Sequence, residues 1–399
     1  MNLNLHLHIR IALIYFLIVA VLGAILRLFV LVDIPATYRF LVHTHSHVAL
    51  LGWVYIAITT LLYRLFLYKA GVEKVYKRIF LFTQITILGM LCSFPFQGYA
   101  LFSIFFSSLF LISNYFFAWL FLTKTPAEKK RLFSYKLVKA SVFFMVFSSL
   151  SLWMMGYIMT VLGSTSIWYS LAIYFYLHFQ YNGWFVLSLS GVLLYIAEKN
   201  GLLLSLSEKQ KIYFPLVISV LLTFFLSVLW LEPPVVFYLL AGVGVLLQLY
   251  AFGVFGKKIV FFHWSVEKSV LRLLQIAGIL FLVKLVMQSL SIIPYIAMTA
   301  YHNLDFIIGY LHLIFLGVVS VAIFAFLRHF KLIRFSKAAF ALYFSAFILT
   351  ETLLFYKGVV LWFKIPLWEE YYLFLAVASL LFSISITWFL LINMKNKKL

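Results

Sequence analysis

Residues 11–32 read IALIYFLIVAVLGAILRLFVLV, an apolar run with a single charged side chain, Arg27. A helix needs about 20 apolar residues to cross a hydrocarbon core of roughly 30 Å, and this run is long enough. Because a segment in lipid must satisfy its own backbone hydrogen bonds, the run predicts a membrane-spanning α-helix. No small-residue cleavage pattern accompanies it, so we interpret it as a retained span and not as a cleaved signal.

The same pattern recurs along all 399 residues. Hydrophobic residues make up 65% of the chain, charged residues make up 11%, and the mean hydropathy is +1.09. A soluble domain cannot bury so much apolar surface. The sequence therefore predicts an all-α, polytopic membrane helical bundle of about 12 transmembrane helices, a single domain over residues 1–399 with the lipid bilayer as its main partner. We find no internal repeat that divides the chain. The predicted spans lie near residues 11–32, 41–66, 79–96, 99–122, 138–162, 169–196, 212–230, 235–255, 269–292, 304–327, 338–356 and 371–393.

The basic residues predict the orientation of these spans. The net charge is +20, but 26 of the 31 Lys and Arg side chains lie in every second loop or at the termini, including Lys395, Lys397 and Lys398 at the end of the chain. Basic loops of membrane proteins face the cytoplasm, so we expect both termini there and a multi-pass location in the cytoplasmic (inner) membrane. The charge is thus a topology signal, and we expect no nucleic acid partner. The cations left on the outer side are Arg27, Arg39, Lys284, Lys357 and Lys364.

Cysteine usage excludes several kinds of site. Cys92 is the only cysteine, so the chain has no disulfide framework, no cysteine-based zinc site and no iron–sulfur cluster of its own. No motif for covalent haem attachment is present either. A cofactor in this chain would therefore have to be held by histidines or other side chains.

The ten histidines form two groups. His6, His8, His263 and His329 fall at cytoplasmic ends of spans, where we expect solvated or interfacial side chains. The others lie in the outer half or at the outer rim of the predicted bundle. An ionisable side chain inside a membrane is costly and is a functional candidate by default. The members of this second group are His43, His45, His47, His178, His302 and His312.

Three of these histidines occur in LVHTHSHVALLGW at 41–53. Positions four apart share a helix face, so His43 and His47 point one way and His45 points another. One ring could then ligate a haem while another contacts a metal or a haem propionate. We favour His47 as the haem ligand, because it lies deepest in its span. Interfacial histidines without a ligand are the alternative.

Spans six and ten carry the remaining candidates. His178 lies in YLHFQYNGWF at 176–185, and YHNLDFIIGYLHLIFLG at 301–317 places His302 at the outer mouth and His312 deeper. Spans two, six and ten run in the same direction, so their histidines can converge. Two facing imidazoles suit a b-type haem, and a zinc or copper site would use the same residues. The predicted metal ligands are His47, His178, His302 and His312.

The segment GYLHLIFLG at 309–317 resembles the tenth helix of subunit I of the haem-copper oxidases, the superfamily of cytochrome oxidases and nitric oxide reductases. The resemblance implies one or two b-type haems, with His312 ligating the low-spin haem together with a histidine of the 43–47 cluster. Tyr310 takes the place of the ligand of the active-site haem, and His178 matches a copper ligand. Span seven, however, lacks the histidine pair that binds copper in the family, which leaves copper doubtful. The chain is also similar in size and histidine placement to the NnrS family of membrane haem proteins.

Three functions follow as alternatives. The first is an oxidoreductase in oxygen or nitric oxide chemistry, with a cytochrome or quinol as electron donor and small partner subunits. The second is a non-catalytic haem or gas sensor, and the third is a transporter for metal ions or protons. The outer cations Arg27, Arg39, Lys357 and Lys364 could bind haem propionates, or they could be interfacial anchors that need no ligand. Glu351 and Lys284 lie within spans, so we expect an ion pair between them, a proton relay through Glu351, or a tie between helices.

Overall fold

The structure is a computed structural model that describes residues 3–394, so Lys395, Lys397 and Lys398, predicted to be cytoplasmic, lie outside the described residues. Helices account for 84% of it, and the described part contains no strand. The long helices, α1 to α12 in chain order, are Leu5–Leu28, Tyr38–Leu67, Glu73–Gln97, Leu101–Lys124, Phe133–Leu162, 167–199, Leu206–Leu231, Val235–Val260, Lys268–Leu290, Leu304–His329, Lys337–Trp362 and Tyr371–Met394.

Within residues 3–394, 11 of these helices are long and apolar enough to cross a membrane. The remaining one, α6, coincides with the sixth predicted span and carries the polar side chains of that span, which lower its hydropathy. The all-α, polytopic helical bundle predicted from the sequence is therefore confirmed. Two short helices, Ala127–Lys130 and Pro294–His302, lie in connections between long helices.

The first helix begins earlier than its hydropathy predicts. Asn4 caps α1 by accepting a hydrogen bond from the backbone nitrogen of Leu7 over 3.1 Å. The early start places His8 inside the helix, where its side chain is 4% exposed and stacks on Phe80 with ring centroids 3.6 Å apart. The prediction of an interfacial side chain is wrong for His8, because the ring packs against α3.

Predicted spans three and four are two separate helices joined by a tight turn. α3 ends at Gln97 and α4 begins at Leu101. Gly98 has a φ of +58°, a conformation that side chains disfavour, and a Cβ atom there would lie 2.4 Å from the ring of Phe40. Glycine is thus required both by the turn and by the approach of α2.

The chain divides into two compact units. Unit 1 comprises the residues up to Lys124 and those from Ile308 onward, and unit 2 comprises Thr125–Ile307. In unit 1, α1 packs against α2 and α12, α3 pairs with α4, and α11 pairs with α12. In unit 2, α5 packs against α6 and α7 packs against α8. The prediction of a single domain is not tested by this division.

A local repeat connects three helices whose histidines are site candidates. In α2, α6 and α10, a π-helical stretch of seven residues begins directly after a histidine: His47, His178 or His312. Each stretch has a glycine at its fifth position, so the shared pattern is a histidine followed by glycine five residues later. We found no such repeat from the sequence. Wide helical turns of this kind are rare and often mark functional sites.

The repeated glycine allows close helix contact in both units. A Cβ atom on Gly52 would lie 2.8 Å from Cβ of Tyr15 in α1. A Cβ atom on Gly183 would lie 2.5 Å from Cβ of Phe144 in α5. Small residues are how membrane helices approach each other closely. Glycine at this position therefore allows α2 to pack closely against α1, and α6 to pack closely against α5.

Candidate functional site

His45 points toward α1 within unit 1. Its Nδ1 donates a hydrogen bond to the backbone oxygen of Val19 over 3.0 Å, and a Cβ atom on Gly23 would lie 3.0 Å from its Cε1. The ring thus packs closely over a glycine of α1. Because Nδ1 carries the proton, Nε2 has the lone pair, and a hydrogen bond of this kind orients most histidines that ligate metals.

His312 in α10 faces Glu351 in α11. Nδ1 of His312 lies 3.7 Å from Oε1 of Glu351, and the two side chains are 26% and 10% exposed. Neither this nitrogen nor either carboxylate oxygen has a hydrogen-bond partner within residues 3–394. Buried polar atoms are nearly always completed by protein, water or a ligand. The buried polar atoms of this pair therefore have hydrogen-bonding capacity that the described residues do not satisfy.

Arg27 and His45 lie close enough to His312 to act on its charge, and Arg27 also acts on Glu351. Side chains from α1, α2, α10 and α11 thus interact electrostatically in unit 1. We call these four residues the His45–His312 cluster. The cluster combines two imidazoles, one carboxylate and one guanidinium.

His43 and His47 lie on a different face of α2 and contact the end of α3. The ring of His47 is 4.4 Å from that of Phe94, and its Nε2 accepts a hydrogen bond from the hydroxyl of Tyr99 over 3.2 Å. Its Nδ1 donates to the backbone oxygen of His43 over 2.8 Å. Both ring nitrogens of His47 therefore have protein partners. These contacts favour His45 over His47 as the partner of His312.

Arg39 and Tyr310 were the other predicted haem-binding residues. Arg39 is exposed at the start of α2 and acts electrostatically on His43. Tyr310 is half-buried and precedes His312 by two residues in α10. The role of each at a haem stays a prediction.

In unit 2, His178 belongs to a buried chain of hydrogen bonds. Its Nε2 donates to the backbone oxygen of Val220 over 2.8 Å, and its Nδ1 accepts from Nδ2 of Asn182 over 3.2 Å. Nζ of Lys284 donates to Oδ1 of Asn182 over 2.6 Å and also to Oε1 of Gln288. All four side chains are at most 6% exposed. The chain links α6, α7 and α9.

This chain of hydrogen bonds bears on two predictions. Both nitrogens of His178 are occupied by protein groups, an arrangement typical of a structural histidine and one that would have to open for His178 to bind a metal. Lys284 has two amide oxygens as partners, whereas we had suggested the carboxylate of Glu351. Amide oxygens bind an ammonium without neutralising it, so Lys284 lacks a countercharge among these partners.

His302 is exposed at the end of the short helix Pro294–His302. Its neighbour Tyr301 stacks on Trp230 with ring centroids 4.0 Å apart. In the described part of the chain, no group of three His, Cys, Asp or Glu side chains is arranged to hold a metal ion. The role of the four predicted metal ligands stays a prediction.

Two contacts of the site were missed from the sequence. The carbonyl of Val19 orients His45, and a backbone group in a uniform apolar run gives no sequence signal. Tyr99 was visible in the break FPFQGY at 94–99, where a hydroxyl and an amide interrupt apolar residues. Its contact with His47 depends on the turn at Gly98, which brings the end of α3 beside α2.

No protein-family model matches the chain, and no curated protein is significantly similar to it. The resemblance of residues 309–317 to the tenth helix of haem-copper oxidases therefore stays a prediction. The function has to be inferred from the residues of this chain and their contacts.

Proposed function

We propose that this chain binds a b-type haem through His45 and His312. The observations that support the proposal are the electrostatic interaction between these two imidazoles, from α2 and α10 of unit 1, and the buried Nδ1 of His312, which has no hydrogen-bond partner among the described residues. Two histidines on separate helices are the ligand set of a six-coordinate haem in a helical bundle.

The residues present fit such a group. Nδ1 of His45 already donates to Val19, so its Nε2 is available as a ligand. Nδ1 of His312 faces the buried, unpartnered carboxylate of Glu351, and a carboxylate beside a ligating histidine raises the basicity of the ring. Arg27 adds a positive charge that could pair with a propionate.

When bound, a haem would supply electron transfer or gas binding. The side chains of this protein would ligate it, orient the two rings and keep water from it. Because His178 is occupied by Val220 and Asn182, the contacts favour an electron carrier or gas sensor over a haem-copper reaction centre. The membrane concerned is, in this proposal, the cytoplasmic one.

The test is the absorption spectrum of the purified protein and of three variants. We expect one low-spin haem b per chain, measured by pyridine haemochrome. His45→Ala and His312→Ala should each lose the haem or convert it to a five-coordinate form, because each removes one axial ligand. His302→Ala should keep the low-spin spectrum, since that side chain is exposed.

Each sample must elute as one species, so that loss of haem is not confused with unfolding. Absence of haem from the wild-type protein expressed with sufficient haem would refute the proposal. A low-spin spectrum that survives His45→Ala but disappears in His47→Ala would instead identify His47 as the axial ligand.

A further inference from the structure

His43, His47 and Tyr99 form a second cluster, which we call the rim cluster. The ring of Tyr99 is 4.6 Å from that of His43 and 5.7 Å from that of His47. The two histidines are half-buried and Tyr99 is 47% exposed. The cluster therefore lies at the surface of the protein, at the start of α2.

We propose that the rim cluster binds one divalent transition-metal ion, with copper(II) as the best fit. Nε2 of His47 and the hydroxyl oxygen of Tyr99 lie 3.2 Å apart. Two ligands of one metal with bonds near 2.0–2.1 Å stand about 2.8–3.4 Å apart, so this separation suits a shared ion. His43 lies one helical turn before His47 on the same face and supplies a second imidazole.

The orientation of His47 supports this role. Its Nδ1 donates to the backbone oxygen of His43 over 2.8 Å, which fixes the proton on Nδ1 and the lone pair on Nε2. A histidine that ligates a metal nearly always donates its other ring N–H in this way. The ion would take the place of the proton between Tyr99 and Nε2, so binding would break this hydrogen bond and keep both atoms as ligands.

The donor set selects the metal. Two imidazoles and one phenolate are nitrogen and oxygen donors, for which copper(II) has the highest affinity among the divalent first-row ions. Binding replaces the O–H bond of Tyr99 with a bond to the metal and releases one proton to solvent, with no change of oxidation state.

This site does not depend on the proposed haem. His45 lies between His43 and His47 in the sequence, but its ring packs on α1 while theirs contact the end of α3. Substitutions of His45 and of His47, which are two residues apart in α2, should therefore affect the two sites separately.

The experiment uses the full chain in detergent with Cys92→Ser, because Cys92 is exposed and its thiol could bind copper. Metal is first removed with a chelator, and copper(II) is then titrated against a competing chelator. We expect one copper per chain, nitrogen hyperfine structure in the electron paramagnetic resonance spectrum, and a phenolate-to-copper absorption band.

Three variants test the ligands. His47→Gln should lower copper affinity at least about tenfold and leave the haem spectrum unchanged. Tyr99→Phe should lose the absorption band and keep the nitrogen hyperfine structure. His45→Gln should bind copper like the parent even if it loses haem. Equal copper binding by His47→Gln and the parent, or a parent that binds no copper, overturns the proposal whatever the haem measurement shows.

Discussion

At the scale of single residues, Asn182 is the link in the buried polar chain of unit 2. It donates to His178 and accepts from Lys284, whose side chain is 1% exposed. A buried charge that loses a partner costs more free energy than the removal of the charge itself. The hydrogen bonds of Asn182 should therefore matter more for stability than the ammonium that they hold.

We predict that Asn182→Leu lowers the free energy of unfolding by about 3 kcal/mol, since it removes one of the two amide oxygens that hold the buried ammonium of Lys284 and leaves Nδ1 of His178 without its donor. Lys284→Met should cost about 1–2 kcal/mol, because it leaves only neutral amides unsatisfied. The measurement is the thermal unfolding midpoint in detergent. The double variant should be more stable than the additive sum, and simple additivity would show that the two side chains are not coupled.

At the scale of secondary-structure elements, the glycines five residues after His47 and His178 determine how closely α2 and α6 pack against their neighbouring helices. Gly183 places the backbone of α6 directly against Phe144 of α5. This contact sits within the π-helical stretch, so the wide turn and the close approach occur at the same place. The position of His178 is thus set by the contact of α6 with α5.

Gly183→Ala should destabilise the protein by about 1–3 kcal/mol, because the new Cβ atom would overlap Phe144 and force the helices apart. Gly156→Ala in α5 is the matched control. A Cβ atom there meets nothing within 4 Å, so alanine should leave stability unchanged or raise it slightly. Similar unfolding midpoints for the two variants would contradict the role of Gly183 in packing.

At the scale of the whole molecule, the alternation of basic and neutral loops predicts which side of the membrane each loop faces. The loop that contains the short helix Ala127–Lys130 is basic, whereas the turn between α5 and α6 carries no charge. The first should lie in the cytoplasm and the second outside.

A labelling experiment checks this orientation in a Cys92→Ser background. A membrane-impermeant thiol reagent should label Ser164→Cys in intact cells, because this exposed residue lies in the neutral turn. Glu128→Cys, also exposed, should react only after the cells are permeabilised. The reverse pattern would invert the predicted topology and place the His45–His312 cluster in the inner half.

The sequence by itself determined the helical membrane class and the approximate helix boundaries, because hydropathy and chain length act locally in each segment. It also separated His45 from His43 and His47, since that distinction follows from helical periodicity alone. Contacts between distant segments decided the rest. Only the packing of α1 on α2 gives His45 the carbonyl of Val19, and only the turn at Gly98 brings Tyr99 to His47. Partners of this kind lie far apart along the chain, and a single sequence does not show which distant residues contact each other.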